Sequence, residues 1–372
     1  MKLSVMQENL ARGLGIVSRA VSSRSTLPVL SNVLLRTEDA GLKLTATNLE
    51  IGITCWVAGK IDAEGAMTVP ARLFNDLVAG LPAGERIELE ADDATTLRIK
   101  AGRYQTQLRG IDAEEFPVIP SPGERPTTRV NQKELRHALS EVVFAAASDE
   151  ARPILTGVLG RFEGDQLTLA AADNYRIAVR TIPILDAVPE TSVVIPARAL
   201  NELARVLADV EDPVEVVLAG ARNQVLFHLE GIDLVSRLID GQFPNYQQVL
   251  PQSHNTRAVL DREELLRAVR PAALIAHESA NIVKLQIGGD GDPGVTVSAN
   301  AEVGDHVGAV EAAVEGDGTT IAFNARYLAD VLTNVDADQF ALELNGPLSP
   351  GVFKPVGDDR YVHVVMPVRT TS

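Results

Sequence analysis

VVIPARALNELARVL, residues 193–207, is a β-branched run that meets a proline and continues as an apolar-periodic helix. The chain contains two further versions of it: MTVPARLFNDLVAGLP at 67–82 and TIAFNARYLADVL at 320–332. Aligned on Ala71-Arg72, Ala197-Arg198 and Ala325-Arg326, the versions stand 126 and 128 residues apart. Pro70 and Pro196 sit just before the helix, where a missing backbone N–H is not needed. After each arginine the apolar residues fall at helical spacing, as in Leu200, Leu203, Val206 and Leu207.

The match extends outward from this stretch. Leu27-Pro28-Val29-Leu30 corresponds to Arg152-Pro153-Ile154-Leu155, and Asn48 in LTATNLEIGI aligns with Asn174 and Asn300. GIDAEEFPVIP (110–120) echoes LIDGQFPNYQQVLP (238–251). Each copy also opens with a helix: QENLARGLGIVSRAV, NQKELRHALSEVVFAA and DREELLRAVRPAALIA. A fixed period of this kind marks repetition of one structural unit. The expected boundaries are residues 1–122, 128–250 and 257–372, joined by SPGERPTTR (121–129) and SHNTR (253–257). Between the helices the pattern alternates in short runs separated by Asp, Gly and Asn turns, which predicts antiparallel strands. Two helices on the sheets of each copy make an α+β architecture with six helices per chain.

At 372 residues, each of three copies is long enough to bury its own core. No apolar run approaches the roughly 20 residues a bilayer requires, so no membrane partner is expected. MKLSVMQENLARG lacks a basic-then-apolar secretion pattern, and the single cysteine, Cys55, excludes an intramolecular disulfide. The expectation is a soluble cytoplasmic protein. The formal charge is −16, which taken alone argues against nucleic acid. Its distribution says otherwise: the six predicted helices carry eleven cations against nine anions, leaving −18 for the rest of the chain. Such a division suits helices that share a surface tolerant of a polyanion while the remainder repels it.

No constellation in the sequence performs a reaction. The six histidines are scattered, and neither a Gly-x-x-x-x-Gly-Lys-Ser/Thr phosphate loop nor a Gly-x-Ser-x-Gly elbow occurs. GGDGDPG (288–294) lacks the later Glu of a calcium loop and reads as a hairpin turn. Asp149-Glu150 and Asp358-Asp359 read as loop charges, so no metal and no cofactor is expected. What stands out is apolar material expected to lie exposed near the second junction: Phe243-Pro244-Asn245-Tyr246 in a loop, Pro347-Leu348-Ser349-Pro350 and the terminal VVMPVR (364–369). A methionine, prolines and aliphatics together suit an adaptable groove for apolar peptide side chains.

The tandem copies, RPILTGVL, ADNYRIAV, LIDGQFPNYQQVLP and VVMPVR closely resemble the bacterial replicative sliding clamp, the beta subunit of DNA polymerase III. The resemblance covers the whole chain. It implies a non-catalytic, head-to-tail homodimer closed as a ring around duplex DNA, with helices inside and sheets outside. It also implies partners that carry clamp-binding peptides, among them the polymerase III catalytic subunit and the clamp loader. Twelve helices about 10 Å apart would enclose a hole of ~28 Å, room for B-form DNA and a water layer.

Carried over by motif, the peptide pocket comprises Leu155, Ala172, Asn174, Tyr175, Arg176, Ile177, Pro244, Gln248 and Val249. Leu348, Val364, Met366, Pro367, Val368 and Arg369 complete it. Asn174-Tyr175 stands where many members carry Gly-His, Gln248 where a basic residue is common, and the tail TTS extends past the usual end. These departures point to retuned partner affinity. DNA contact is expected from Arg24, Arg152, Arg72, Arg198 and Arg205, and ring closure from Leu73, Leu77 and Leu108 against Leu274 and Ile275 of a second copy. The alternatives are an open DNA-binding protein or a polymerase-type nucleotidyl transferase; the latter needs a metal-binding carboxylate pair that the sequence does not place.

Overall fold

The computed structural model describes residues 1–22, 27–38, 41–91, 93–119, 126–219, 223–288 and 294–369. Arg24, the linker segment 120–125, the centre of the 288–294 turn and the tail 370–372 lie outside the described residues. The first copy runs β1 (Lys2–Met6), α1 (Gln7–Val17), β2 (Asn32–Glu38), β3 (Gly41–Thr47), β4 (Ile51–Val57), β5 (Gly59–Ala63), β6 (Ala66–Pro70), α2 (Ala71–Ala79), β7 (Arg86–Ala91), β8 (Thr96–Ala101) and β9 (Tyr104–Arg109). The second runs β10 (Thr128–Asn131), α3 (Gln132–Val142), β11 (Gly157–Ala172), β12 (Arg176–Pro196), α4 (Ala197–Val206), β13 (Pro213–Ala219), β14 (Gln224–Leu229) and β15 (Ile232–Arg237). The third runs β16 (Thr256–Asp261), α5 (Arg262–His277), β17 (Ile282–Ile287), β18 (Gly294–Ala301), β19 (Gly304–Gly316), β20 (Thr319–Asn324), α6 (Ala325–Asn334), β21 (Gln339–Leu344), β22 (Gly351–Pro355) and β23 (Tyr361–Val365). All six expected helices are present, and α2, α4 and α6 each begin at the alanine of the repeated Ala-Arg pair. None of the helices among the described residues is long and apolar enough to cross a membrane.

The chain divides into two compact units, residues 1–132 with 205–238, and residues 133–204 with 239–372. The division cuts through the second copy rather than between copies, because sheets are continuous where copies meet. In the first unit an eight-stranded sheet runs β10-β13-β14-β15-β4-β3-β2-β6, so first-copy β4 pairs with second-copy β15. Leu234 stands opposite Ile53 and Ile232 opposite Cys55. A separate five-stranded sheet, β5-β1-β7-β8-β9, ends on β9. In the second unit, a ten-stranded sheet joins second-copy β12 to third-copy β23, with Ala178 opposite His363 and Arg180 opposite Tyr361.

The structure shifts one sequence alignment by a residue. Asn48 accepts from the backbone N–H groups of Glu50 and Ile51 through Oδ1, and it is Asp173 that does the same for Tyr175 and Arg176. Ala301 pairs with Gly304 across the corresponding turn of the third copy. The equivalent positions are therefore Asn48, Asp173 and Ala301, not Asn48, Asn174 and Asn300. A short Asx side chain that closes a turn on its own backbone is what sets the position.

Packing of helix on sheet is close enough to dictate composition. Leu10, Gly13, Leu14 and Val17 are the inner face of α1. A Cβ added at Gly13 would fall 2.6 Å from Val57 Cγ2 and 3.0 Å from Leu44 Cδ1, so α1 accepts a mid-helix glycine to approach β3 and β4. Asp261 caps α5 by accepting from the Glu264 N–H, and Asn324 caps α6 by accepting from that of Arg326.

The slots that hold Cys55 and Ile232 in the first unit hold Arg180 and Tyr361 in the second. Arg180 is buried with Glu141 of α3 at 3.3 Å, and its other end reaches Asp358. That contact assigns Asp358 to a structural pair. Tyr361 donates to the Glu141 carbonyl at 3.1 Å, and its hydroxyl lies 3.4 Å from His363 Nδ1. His363 is fully buried and stacks on Phe144 with centroids 5.5 Å apart. Burial, and secondarily the nearby Arg176 cation, push its pKa down to about 3.

Two outcomes are expected from this packing. Gly13→Ala should lower the urea midpoint: helix propensity gains about 1 kcal/mol, but crowding of Val57 and Leu44 costs about 1–3 kcal/mol. For His363, the unfolded imidazole binds a proton near its ordinary value while the folded one does not. The stability from keeping it neutral is whole above that value and is lost as pH falls toward 3, at about 1.4 kcal/mol per pH unit. His137 acts with opposite sign, because its hydrogen bond to Glu141 raises its pKa and its contribution is lost as pH rises. Urea titrations of His363→Phe, which keeps the ring stack, should show a flatter decline below pH 6; an unchanged slope would assign acid sensitivity elsewhere.

Candidate functional site

An apolar sheet face lies in the second unit, where strand alternation decides which residues share it. Ile177 is opposite Val364 and Val179 opposite Val362 across β12 and β23. On the other side of β12, Ala172 is opposite Ile177 and Ala170 opposite Val179. Val352 of β22 continues the strip beside Val364. Leu155, from the 3₁₀ turn Pro153–Thr156, and Phe243 close over it to form one cluster, with Ile154, Tyr246 and Leu250 packed at its margin. Of the residues expected from sequence, Leu155, Ala172, Ile177 and Val364 thus meet in a single apolar floor.

The rim is built from the remaining ones. Pro244, Gln248 and Val249 are exposed in the loop and 3₁₀ turn that follow Phe243. Phe243 itself is buried, against the expectation that it lies exposed, because its ring is part of the floor. Met366, Pro367 and Val368 are half-buried and Arg369 is exposed. The Met366 N–H donates to the Tyr175 carbonyl at 2.8 Å and the Val368 N–H to the Ala322 carbonyl at 2.8 Å, so the segment after β23 is fixed beside Tyr175 and Ala322 by backbone bonds. Leu348 is exposed in the turn before β22, and Asn174 is exposed beside Tyr175.

Arg176 has a different place from its neighbours. Its guanidinium bonds Asp173 at 3.1 Å, Asp330 of α6, and the Phe144 carbonyl at 2.8 Å. It also lies 4.7 Å from the Tyr327 ring centroid, and Tyr175 stacks on that same ring at 6.1 Å. Arg176 is committed to holding the Tyr175 turn against α6, where its charge is neutralised. Asp173, Tyr327 and Asp330 were not among the expected residues. The Asx turn signal at Asp173 is readable in sequence; the α6 contacts, some 150 residues away, are not.

A comparison within the chain shows why this groove, and not its counterpart, is the candidate. In the first unit, Gly52 and Thr54 occupy the slots of Ile177 and Val179, and Asp233 that of Val362. The chain's own Ile119 lies over Gly52, 3.1 Å from where a Cβ would stand, and packs on Val217, Leu226 and Val235. What remains there is a hollow of about 230 Å³ floored by Thr45, Thr54 and Asp233. That counterpart is plugged and has polar groups on its floor; the floor of the second-unit groove is apolar.

The expected DNA-contacting arginines are all at the surface where described. Arg152, Arg72, Arg198 and Arg205 are exposed, and Arg72 approaches only Asp76, at 3.9 Å. Arg72, Arg198 and exposed Arg326 each hold the second position of α2, α4 and α6. A cation in a first helical turn opposes the helix dipole by about 0.3–1 kcal/mol, yet all three copies carry one. Among the residues expected to close a ring, Leu73 and Leu274 are 55% and 74% exposed, Leu77 and Ile275 are half-buried, and Leu108 is buried beneath its own strand pair. Exposed Tyr104, Val303 and Val307 were missed, because their strands read as ordinary hairpins.

Comparison with known proteins agrees over the full length. Family models described as the DNA polymerase III beta subunit N-terminal, central and C-terminal domains match residues 1–120, 129–245 and 247–369. The beta sliding clamp of Synechococcus elongatus is 37% identical, with all of both chains covered. The DNA polymerase sliding clamp of Bacillus subtilis superposes with a TM-score of 0.93 at 30% identity, again over all of both chains. The Pseudomonas aeruginosa sliding clamp, solved bound to griselimycin, gives 0.92 at 30% identity and full coverage. Repeat, fold and full-length likeness place the chain in the DNA polymerase III beta subunit, or sliding clamp, family.

Proposed function

We propose that this chain is a processivity factor of DNA replication, non-catalytic in itself. Two copies join head to tail as a ring that encircles duplex DNA and slides on it without regard to sequence. The observation that carries this reading is one strand edge that recurs three times and is covered only twice. β4 is covered by β15 and β12 by β23, but the equivalent β19 pairs with β18 over Gly304–Val310 and has no second neighbour there among the described strands. β9, the counterpart of β15 and β23, ends its sheet. A second copy supplies what each open edge lacks, and two such pairings close a ring. Leu73, Leu77 and Leu108 then belong to one side of the seam and Leu274 and Ile275 to the other. The three clamp domains are residues 1–122, 128–250 and 257–372.

Arg24, Arg152, Arg72, Arg198 and Arg205 are the proposed DNA contacts, weak individually because closure does the holding. The groove formed by Leu155, Ala172, Ile177 and Val364, with Asn174, Tyr175, Arg176, Pro244, Gln248, Val249, Leu348, Met366, Pro367, Val368 and Arg369 around it, is proposed to take apolar-tipped peptides. The partners are the replicative polymerase's catalytic subunit, the clamp loader and other DNA-processing proteins, acting in the cytoplasm.

Two measurements test this. Loaded by a clamp loader and ATP onto nicked circular DNA, the protein should survive a wash at several hundred millimolar salt, and a single cut should release it within minutes. An ordinary phosphate-binding protein would leave circles and linear DNA alike, since each phosphate contact weakens with salt. Arg72→Ala with Arg198→Ala and Arg326→Ala should slow loading and leave retention on circles nearly unchanged. For the groove, Met366→Ala should weaken binding of a polymerase-tail peptide by about tenfold or more, that is about 1.4 kcal/mol, with the melting temperature little changed. Equal titrations for the variant and the parent would remove the groove from the reading.

A further inference from the structure

β19 carries an unusual residue pair on the face that meets α5. His306 Nε2 is buried and has no hydrogen-bond partner. Gly308 follows two residues later, and an added Cβ there would stand 3.4 Å from that same Nε2 and 3.5 Å from Ala268. The imidazole is therefore turned along its own strand, over the glycine. A buried polar nitrogen without a partner costs about 1–3 kcal/mol, and a strand glycine marks close approach of something else. On the other open edge, Tyr104 is 59% exposed at the start of β9.

The two internal junctions give the register that brings these together. The turns align Ile53, Ala178 and His306 as one slot, and Cys55, Arg180 and Gly308 as another. The hairpins align Leu234, His363 and Thr106 on the covering strand, and Ile232, Tyr361 and Tyr104. Since Ile232 faces Cys55 and Tyr361 faces Arg180, Tyr104 of a second copy faces Gly308, and Thr106 faces His306. Gln105 then stands opposite Val307 on the solvent side.

We propose that Tyr104 is the lock of the seam between two copies: its ring packs against the Gly308 backbone beside the imidazole that overlies it, and its phenol meets the otherwise unpartnered His306 Nε2. The inference rests on the ring reading and adds the residues that set its register. An aromatic ring opposite a strand glycine covers bare backbone, and a tyrosine reaches a diagonal neighbour across a strand pair. The internal junction in the second unit shows the same chemistry, with the Tyr361 hydroxyl beside His363 Nδ1.

The test separates the reading from the lock. Sedimentation of the parent protein at micromolar concentration should give the mass of two chains; a monomer would overturn the ring itself. In a dimer, Gln105→Cys with Val307→Cys should give a disulfide-linked pair on a non-reducing gel, because directly opposite residues stand about 4.5–5.5 Å apart at Cα. Gln107→Cys with Val307→Cys, displaced by two, should not. Both pairs of positions are clear of the core, so folding is preserved. Tyr104→Ala, at an exposed site, should weaken dimerisation at least tenfold, and Tyr104→Phe by less. Gly308→Val should also weaken it, while combining Gly308→Val with Tyr104→Ala should cost less than the two separately, as for residues in contact. A dimer that cross-links only in the displaced pair, or in which Tyr104→Ala has no effect, would overturn the lock.

Discussion

The backbone hydrogen bonds of strand edges are the constraint on which the rest of this structure depends. A sheet edge presents unpaired N–H and C=O groups that call for a partner or for protection. This chain meets that demand by laying the last strand of one copy on the turn strand of the copy before it. β15 covers β4 and β23 covers β12, so no copy is a closed body. That is why the compact units cut through the second copy instead of following the period of the sequence.

Once the backbone register is set, the same slots are free to diverge in side-chain chemistry. On the helix side, Cys55 and Ile232 make one junction apolar, while Arg180, Tyr361 and His363 make the other a buried polar network tied to α3 through Glu141. Removing one partner from such a network strands a buried charge, which costs more than the pair itself contributes. On the opposite side the polarity is reversed. Thr54 and Asp233 give the first junction a polar floor plugged by Ile119, and Val179 and Val362 give the second an apolar one. The junction with the ionic interior is the one with the apolar groove, and Arg176 connects the two, bonded to Asp173 at the groove's turn and to the Phe144 carbonyl beside His363.

The charge distribution follows a similar economy. An acidic chain can still present a cation at the second position of α2, α4 and α6, where local electrostatics oppose it. In the proposed role, weak and repeated contacts from these positions would let the protein move along DNA, because strong ones would arrest it.

The sequence by itself determined the threefold repeat, the six helices, the antiparallel strands and the family. Those features live in local periodicity and in motifs a few residues long, and Pro-Ala-Arg before an apolar helix is legible without any partner. Leu155, Ile177 and Val364, named for the groove by resemblance to the family's motifs, do fall in one buried cluster. Only the tertiary structure decided the rest. Asn48 matches Asn174 in sequence, but the turn that closes on Asp173 shifts the register by one and sends every side chain of β12 to its proper face. Arg176 is tied to Asp330 and Tyr327, about 150 residues away, a contact that no local pattern announces. Tyr104 is exposed on a strand that ends its sheet, while Leu108 of the same strand is buried. Which strand lies beside which is a matter of long-range pairing, and no local pattern encodes an edge.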